Sequence, residues 1–139
     1  MRLIGRRRRE SMLRDGSLAG LTRTLHPGEP LSFLPGWEVI ATPGYTPGHV
    51  SFFRLTDHVL LSGDALVTVE LNSVSGLLRR RTGLSGPPWY TTWDTAAAAA
   101  SVRRLAELNP YVLAGGHGTP LTSPETAHRI RQFGRQHEG

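Results

Sequence analysis

The 139-residue chain has no cysteine and no lysine. The first absence excludes disulfides, thiolate metal ligands and a cysteine nucleophile together, so any metal would have to be held by histidine and carboxylate. The second makes all sixteen basic residues arginine. Long apolar runs are also missing: none approaches the roughly 20 residues that span a bilayer. The start, Met1-Arg2-Leu3-Ile4-Gly5-Arg6, is basic but has no apolar signal-peptide core. Both features point to a cytoplasmic chain without a membrane partner. Aromatic residues are scarce, at 7%. None is interleaved with the basic runs Arg6 to Arg9 and Arg79 to Arg81, as a single-strand binder would want. The net charge of +5 therefore reads as solvated arginine, which argues against nucleic acid, although basic runs do bind polyanions nonspecifically. What is present, 38% hydrophobic residues, suits one soluble globular domain with a single modest core.

Residues 1–33 form a basic N-terminal segment. Its scattered apolar positions would suit a helix that Gly16 and Gly20 weaken, and His26-Pro27-Gly28-Glu29-Pro30 reads as a loop. Trp37 to Ala41 reads as a strand. It cannot continue through Thr42-Pro43-Gly44-Tyr45-Thr46-Pro47-Gly48, whose two Pro-Gly pairs force turns. His49 to Arg54 and Val59 to Ser62 read as an antiparallel hairpin turning at Thr56-Asp57. Val67 to Val69 is compatible with extended chain, and Gly86-Pro87-Pro88 breaks any element. A helix is expected from Asp94, a good N-cap, to Leu108, with Ala98, Val102, Leu105 and Leu108 as its apolar stripe. Tyr111 to Ala114 reads as a strand ending in Gly115-Gly116-His117-Gly118. A last helix over 123–134 begins at Ser123-Pro124-Glu125. Strands followed by helix, strand and helix imply an α+β or α/β arrangement.

Three loops that follow apolar strands hold Tyr45, Asp64 and His117, and loops on a rigid sheet are where site residues tend to sit. Asp64 ends a buried apolar strand, a costly place for a carboxylate unless it is bonded or coordinated. On the residues alone, a turn aspartate and an inconsequential loop histidine remain open readings.

The segments Thr42 to His49, Ser62-Gly63-Asp64-Ala65-Leu66 and Gly116-His117-Gly118, in this order and spacing, resemble the C-terminal half of a metallo-β-lactamase-fold hydrolase. The similarity covers roughly residues 34–120. It implies a partial αββα sandwich, its mixed or antiparallel sheet covered by helices, in one partial domain over 1–139. It also implies metal-dependent hydrolysis of an ester, lactam, thioester or phosphoester, with zinc or another divalent metal as cofactor. Asp64 would bridge two metals, His117 would bind one, and His49 would be a supporting residue behind them. Two departures stand against activity. Tyr45 occupies the position where the family has a ligand histidine, and no His-x-His-x-Asp-His motif occurs in the chain. A phenol, ionising only near pH ~10, is a poor replacement ligand. The Tyr45 hydroxyl is expected instead to bond Asp64 or His117, or the side chain to fill the ligand's space.

With only Asp64 and His117 left as metal ligands, no catalytic residue is assigned. The resemblance then implies a truncated chain, inactive alone and holding no metal or an incomplete site. The alternatives are a non-catalytic binding or structural module of the same fold and a basic nucleic-acid-binding module. The substrate class beyond a small molecule is not specified. Half a sandwich would leave one sheet face uncovered, so a homodimer through that face, or low solubility, is expected.

Overall fold

The computed structural model describes residues 23–69, 82–88 and 90–136. The two arginine runs, the helix considered within residues 1–22 and His137 lie outside these. Residues 23–33 are turns and irregular chain, so the expected N-terminal helix does not extend into them.

Five strands make one mixed sheet: β1 (Trp37–Ala41), β2 (Val50–Arg54), β3 (Val59–Gly63), β6 (Val112–Gly115) and β7 (Leu121–Thr122), in that spatial order. β1 to β3 are successive antiparallel neighbours. The β2–β3 turn is held by a bidentate Arg54–Asp57 pair at 2.8 and 2.7 Å. β3 and β6 run parallel, which requires a long crossover between them. The crossover contains β4 (Val67–Val69) and β5 (Thr82–Ser85), an antiparallel pair forming a second small sheet, and then α1 (Thr95–Glu107). α2 (Thr126–Gln136) follows β7. Mixed sheet and helices together give the expected α+β class.

α1 begins where its sequence says. Asp94 is extended, and its carboxylate accepts the Ala97 N–H at 2.9 Å. The buried face is Ala98, Ser101, Val102, Leu105 and Ala106. α2 begins three residues later than expected. Ser123 to Thr126 close a turn of their own, with the Ser123 N–H donating to Thr126 Oγ1. The first helical bond instead runs from the Arg129 N–H to the Glu125 carbonyl. Gly134 does not stop the helix, because it is buried against Val102 and Arg103 of α1.

Strand register decides which side chains share a face. Ile40, Ser51, Phe53, Leu60 and Leu113 point to one side. There Phe53, Leu60 and Leu113 join Leu66, Val102, Leu105, Ala106 and Ile130 in the core. Val39, Phe52, Leu61 and Ala114 point to the other side. That face is only partly covered: Val39 is buried, Phe52 and Ala114 are half-buried, and Leu61 is 36% exposed. No helix among the described residues is long and apolar enough to cross a membrane.

The sidedness of this core is open to test by chemical denaturation. Leu105→Ala, which opens a cavity under α1, is expected to cost about 2–5 kcal/mol. Leu61→Ala, on the partly covered face, is expected to cost less than about 1 kcal/mol.

Candidate metal centre

The site is built around His49, at the entry to β2. Its Nε2 accepts the backbone N–H of Asp64 at 3.2 Å. A neutral imidazole that accepts at Nε2 carries its proton on Nδ1. That nitrogen lies 2.8 Å from Thr42 Oγ1 and donates to it. The Thr42 hydroxyl then donates to Ser51 Oγ at 3.0 Å, and Ser51 to the Ser62 carbonyl at 3.2 Å. Thr42 and Ser51 are buried, so each hydroxyl needs a partner, and this series of bonds gives both a direction. Burial pushes the His49 pKa below its ordinary value of 6.5, against the opposing attraction of the Asp64 carboxylate. The ring is thus held neutral, the form this chain of bonds requires.

Asp64 and His117 follow the ends of β3 and β6. Because those strands are parallel neighbours, both loops open at the same sheet edge. The Gly116 N–H donates to the Gly63 carbonyl at 2.7 Å and ties the loops together. His117 is fixed through its carbonyl, which accepts from the Thr68 N–H at 3.1 Å and from Thr68 Oγ1 at 3.2 Å. The Asp64 Oδ1 then stands 3.6 Å from His117 Nε2. Two glycines make this approach feasible. A Cβ at Gly116 would collide with Asp64 Oδ1, and one at Gly63, whose φ is +54°, would sit 2.8 Å from His49 Nε2.

Tyr45 lies in the Pro-Gly loop before β2. The loop is strapped to the start of α1: the Trp93 and Asp94 N–H groups donate to the Gly44 carbonyl at 2.9 and 3.0 Å, and Ser101 Oγ donates to the Pro43 carbonyl at 2.7 Å. The Tyr45 hydroxyl bonds neither Asp64 nor His117, contrary to the first expectation for it. Its ring instead stands edge-on to His49, centroids 6.1 Å apart. The bonds that tie its loop to the start of α1 set the ring there.

The family model of the metallo-beta-lactamase superfamily matches residues 20–117, more than half of the chain. The chain belongs to this superfamily. Among curated relatives it is similar to the probable metallo-hydrolase YflN of Bacillus subtilis (strain 168). The two are 50% identical over 90 residues, which are 65% of this chain and 34% of YflN. Among solved structures it is similar to the metallo-beta-lactamase family protein TTHA1429 of Thermus thermophilus. There the identity is 30% and the TM-score 0.56, over 83% of this chain and 35% of that one. It is also similar to TTHA1623, solved in a di-iron-bound form, at 28% identity and TM-score 0.49, over 80% of this chain and 48% of that one. The chain thus spans about a third of the length of YflN and of TTHA1429.

Two ligands on one tetrahedral ion stand about 3.4 Å apart, so the Asp64–His117 spacing suits a shared metal. The number of donors does not. A catalytic site keeps three protein ligands and an open position, and no group of three histidine, cysteine, aspartate or glutamate side chains is placed to hold a metal among the described residues. His49 is no third ligand, because its Nε2 lone pair is taken by the Asp64 N–H. The residues present do not fit a complete metallohydrolase centre.

Sequence reasoning missed Thr42, Ser51 and Thr68, the hydroxyls that fix His49 and His117. Thr42 had one signal, a buried-strand neighbour directly before a turn. Thr68, inside a Val-Thr-Val run, had none.

The lowered His49 value sets a pH dependence. Well above pH 6.5 the ring is neutral in folded and unfolded chains alike, and stability is at its full value. Below 6.5 the unfolded chain takes up a proton that the folded chain resists, so stability falls with pH until the lowered folded value is reached. We expect the urea midpoint to drop on moving from pH 7 to 5.5 and the drop to shrink in His49→Gln. An unchanged drop in that variant would assign it to other groups.

Proposed function

We propose that this chain is a hydrolase-like metallo-β-lactamase module that contributes Asp64 and His117 to a metal position and does not hydrolyse substrate alone. The observation that carries this reading is the 3.6 Å Asp64–His117 pair, held by tied loops yet short of a third donor. Zinc, or iron as in TTHA1623, is the kind of ion such a carboxylate–imidazole pair accepts. In a complete site the metal would acidify a water for attack on an ester, lactam, thioester or phosphoester. This chain's own part is narrower. Thr42, His49, Ser51 and the Gly63–Gly116 bond hold the Asp64 loop in place, and Thr68 holds the His117 loop. The described residues supply no third donor, so a complete site would need donors from elsewhere in the protein.

The reading of a non-catalytic module of the same fold is favoured by one separate observation: Tyr45 stands where a ligand histidine is expected. The two readings differ in whether the metal position survives at all.

Metal analysis after zinc loading and exhaustive dialysis tests the proposal. The 139-residue protein is expected to retain well under one zinc, with a dissociation constant no tighter than micromolar, because two donors are far from a closed structural site. Asp64→Asn and His117→Ala should each abolish the weak binding that remains. Tyr45→His is expected to leave the chain without hydrolase activity. Near-stoichiometric zinc after dialysis, or turnover of a generic ester or lactam by the unmodified chain, would overturn it. Zinc binding unchanged in both Asp64→Asn and His117→Ala would leave the non-catalytic module.

A further inference from the structure

The packing of the two helices creates a feature that neither helix has alone. α1 presents Arg103, Ala106 and Glu107, and α2 presents Arg131, Gly134 and Arg135, around a groove of about 200 Å³. Both triplets fall at spacing i, i+3, i+4, so each helix turns one ridge to the groove. In each ridge the i+3 position is small and the flanking positions are long. Ala106 and Gly134 therefore make a floor, and three guanidiniums and one carboxylate make the rim.

The rim charges are not neutralised within the fold. None of Arg103, Arg131 and Arg135 is ion-paired among the described residues. Arg131 is tethered by a neutral partner, donating through Nη1 to Asn109 Oδ1. Arg103 and Glu107 share a ridge in the less favourable order, basic residue first. The wider helical layer has the same sign: residues 95–136 contain Arg103, Arg104, Arg129, Arg131 and Arg135 against Glu107 and Glu125. The groove is also remote from the Asp64–His117 pair. Asn109 accepts from Arg131, and its carbonyl lies 3.1 Å from His58 Nδ1, just before β3, whereas Asp64 follows the other end of that strand.

We propose that this groove binds the phosphate backbone of a nucleic acid, a role independent of the metal position. Planar guanidiniums converging on an open groove match phosphate oxygens in paired hydrogen bonds. The shallow groove lacks the enclosing walls of a small-molecule pocket. Its rim of three guanidiniums to one carboxylate favours an anionic backbone over the aromatic or aliphatic anchors on which protein partners depend. Among the described residues that line the groove none is aromatic, so the contact is with backbone rather than stacked bases, and binding is independent of base sequence. Arg103 is 28 residues from Arg131 in sequence, so folding is what brings the three cations together.

Fluorescence anisotropy with a labelled 20-nucleotide oligothymidylate tests this. The unmodified chain should bind at low salt, with an affinity that falls steeply as salt is raised. Replacing Arg103, Arg131 and Arg135 together with Gln should weaken binding at least about tenfold and shallow the log–log salt slope by about 2, from ~0.7 per lost phosphate contact. Replacing Arg7, Arg8 and Arg9 with Gln removes the same formal charge from the N-terminal run and should weaken it less than about threefold. Glu107→Gln removes the one repulsive rim charge and should tighten binding about two- to threefold, a gain that damage to the fold would not produce. The proposal is overturned by no binding at about 50 mM salt, by equal losses in the two triple variants, or by failure of Glu107→Gln to tighten binding. Competition by poly-glutamate as effective as by unlabelled oligonucleotide would also overturn it, by assigning the surface to acidic protein.

Discussion

One neutral imidazole holds three segments of this chain in register. His49 directly precedes β2, accepts the N–H of Asp64 beyond β3 and, through Nδ1–H, donates to Thr42 beyond β1. Without it the Asp64 N–H would lose its acceptor and the buried Thr42–Ser51 hydroxyl pair its direction. The ring must be neutral for this, since an imidazolium has no lone pair to accept with. Burial supplies that condition by disfavouring the charged form. The glycine at position 63 is the steric counterpart, because any side chain there would meet the imidazole.

The parallel β3–β6 pair turns local order into a site. Antiparallel neighbours would have sent the two loops to opposite edges, whereas parallel strands deliver Asp64 and His117 to one edge. The crossover needed to make the strands parallel also supplies α1, which covers the core, and β4, whose Thr68 holds the His117 carbonyl. The same architecture therefore both covers one sheet face and assembles the pair. It leaves the opposite face, with Leu61 and Phe52, only partly covered.

Much of this was legible in the residues. Pro-Gly turns, the Asp94 cap and the apolar stripe of α1 each act within a few positions, and their consequences appear where the spacing puts them. The order of the Thr42–His49, Gly63-Asp64 and Gly116-His117 motifs was enough to suggest the superfamily. The illegible parts depend on partners distant in sequence. β5 forms because β4 is there to pair with, and Gly134 stays helical because α1 packs on it. The Tyr45 ring faces His49 because the loop carrying it is tied to α1. The arginine runs that dominate the sequence fall outside the described residues, while the cations that share a groove come from two separate helices.

The arrangement of the site rests on the protonation state of His49, and long-range nitrogen–proton correlation NMR of the imidazole at pH 7 reads it directly. We expect a neutral ring in the Nδ1–H form, with an unprotonated, hydrogen-bonded Nε2, in a protein carrying no added metal. An Nε2–H tautomer, or an imidazolium at that pH, would contradict the His49–Asp64 bond and with it the arrangement of the whole site.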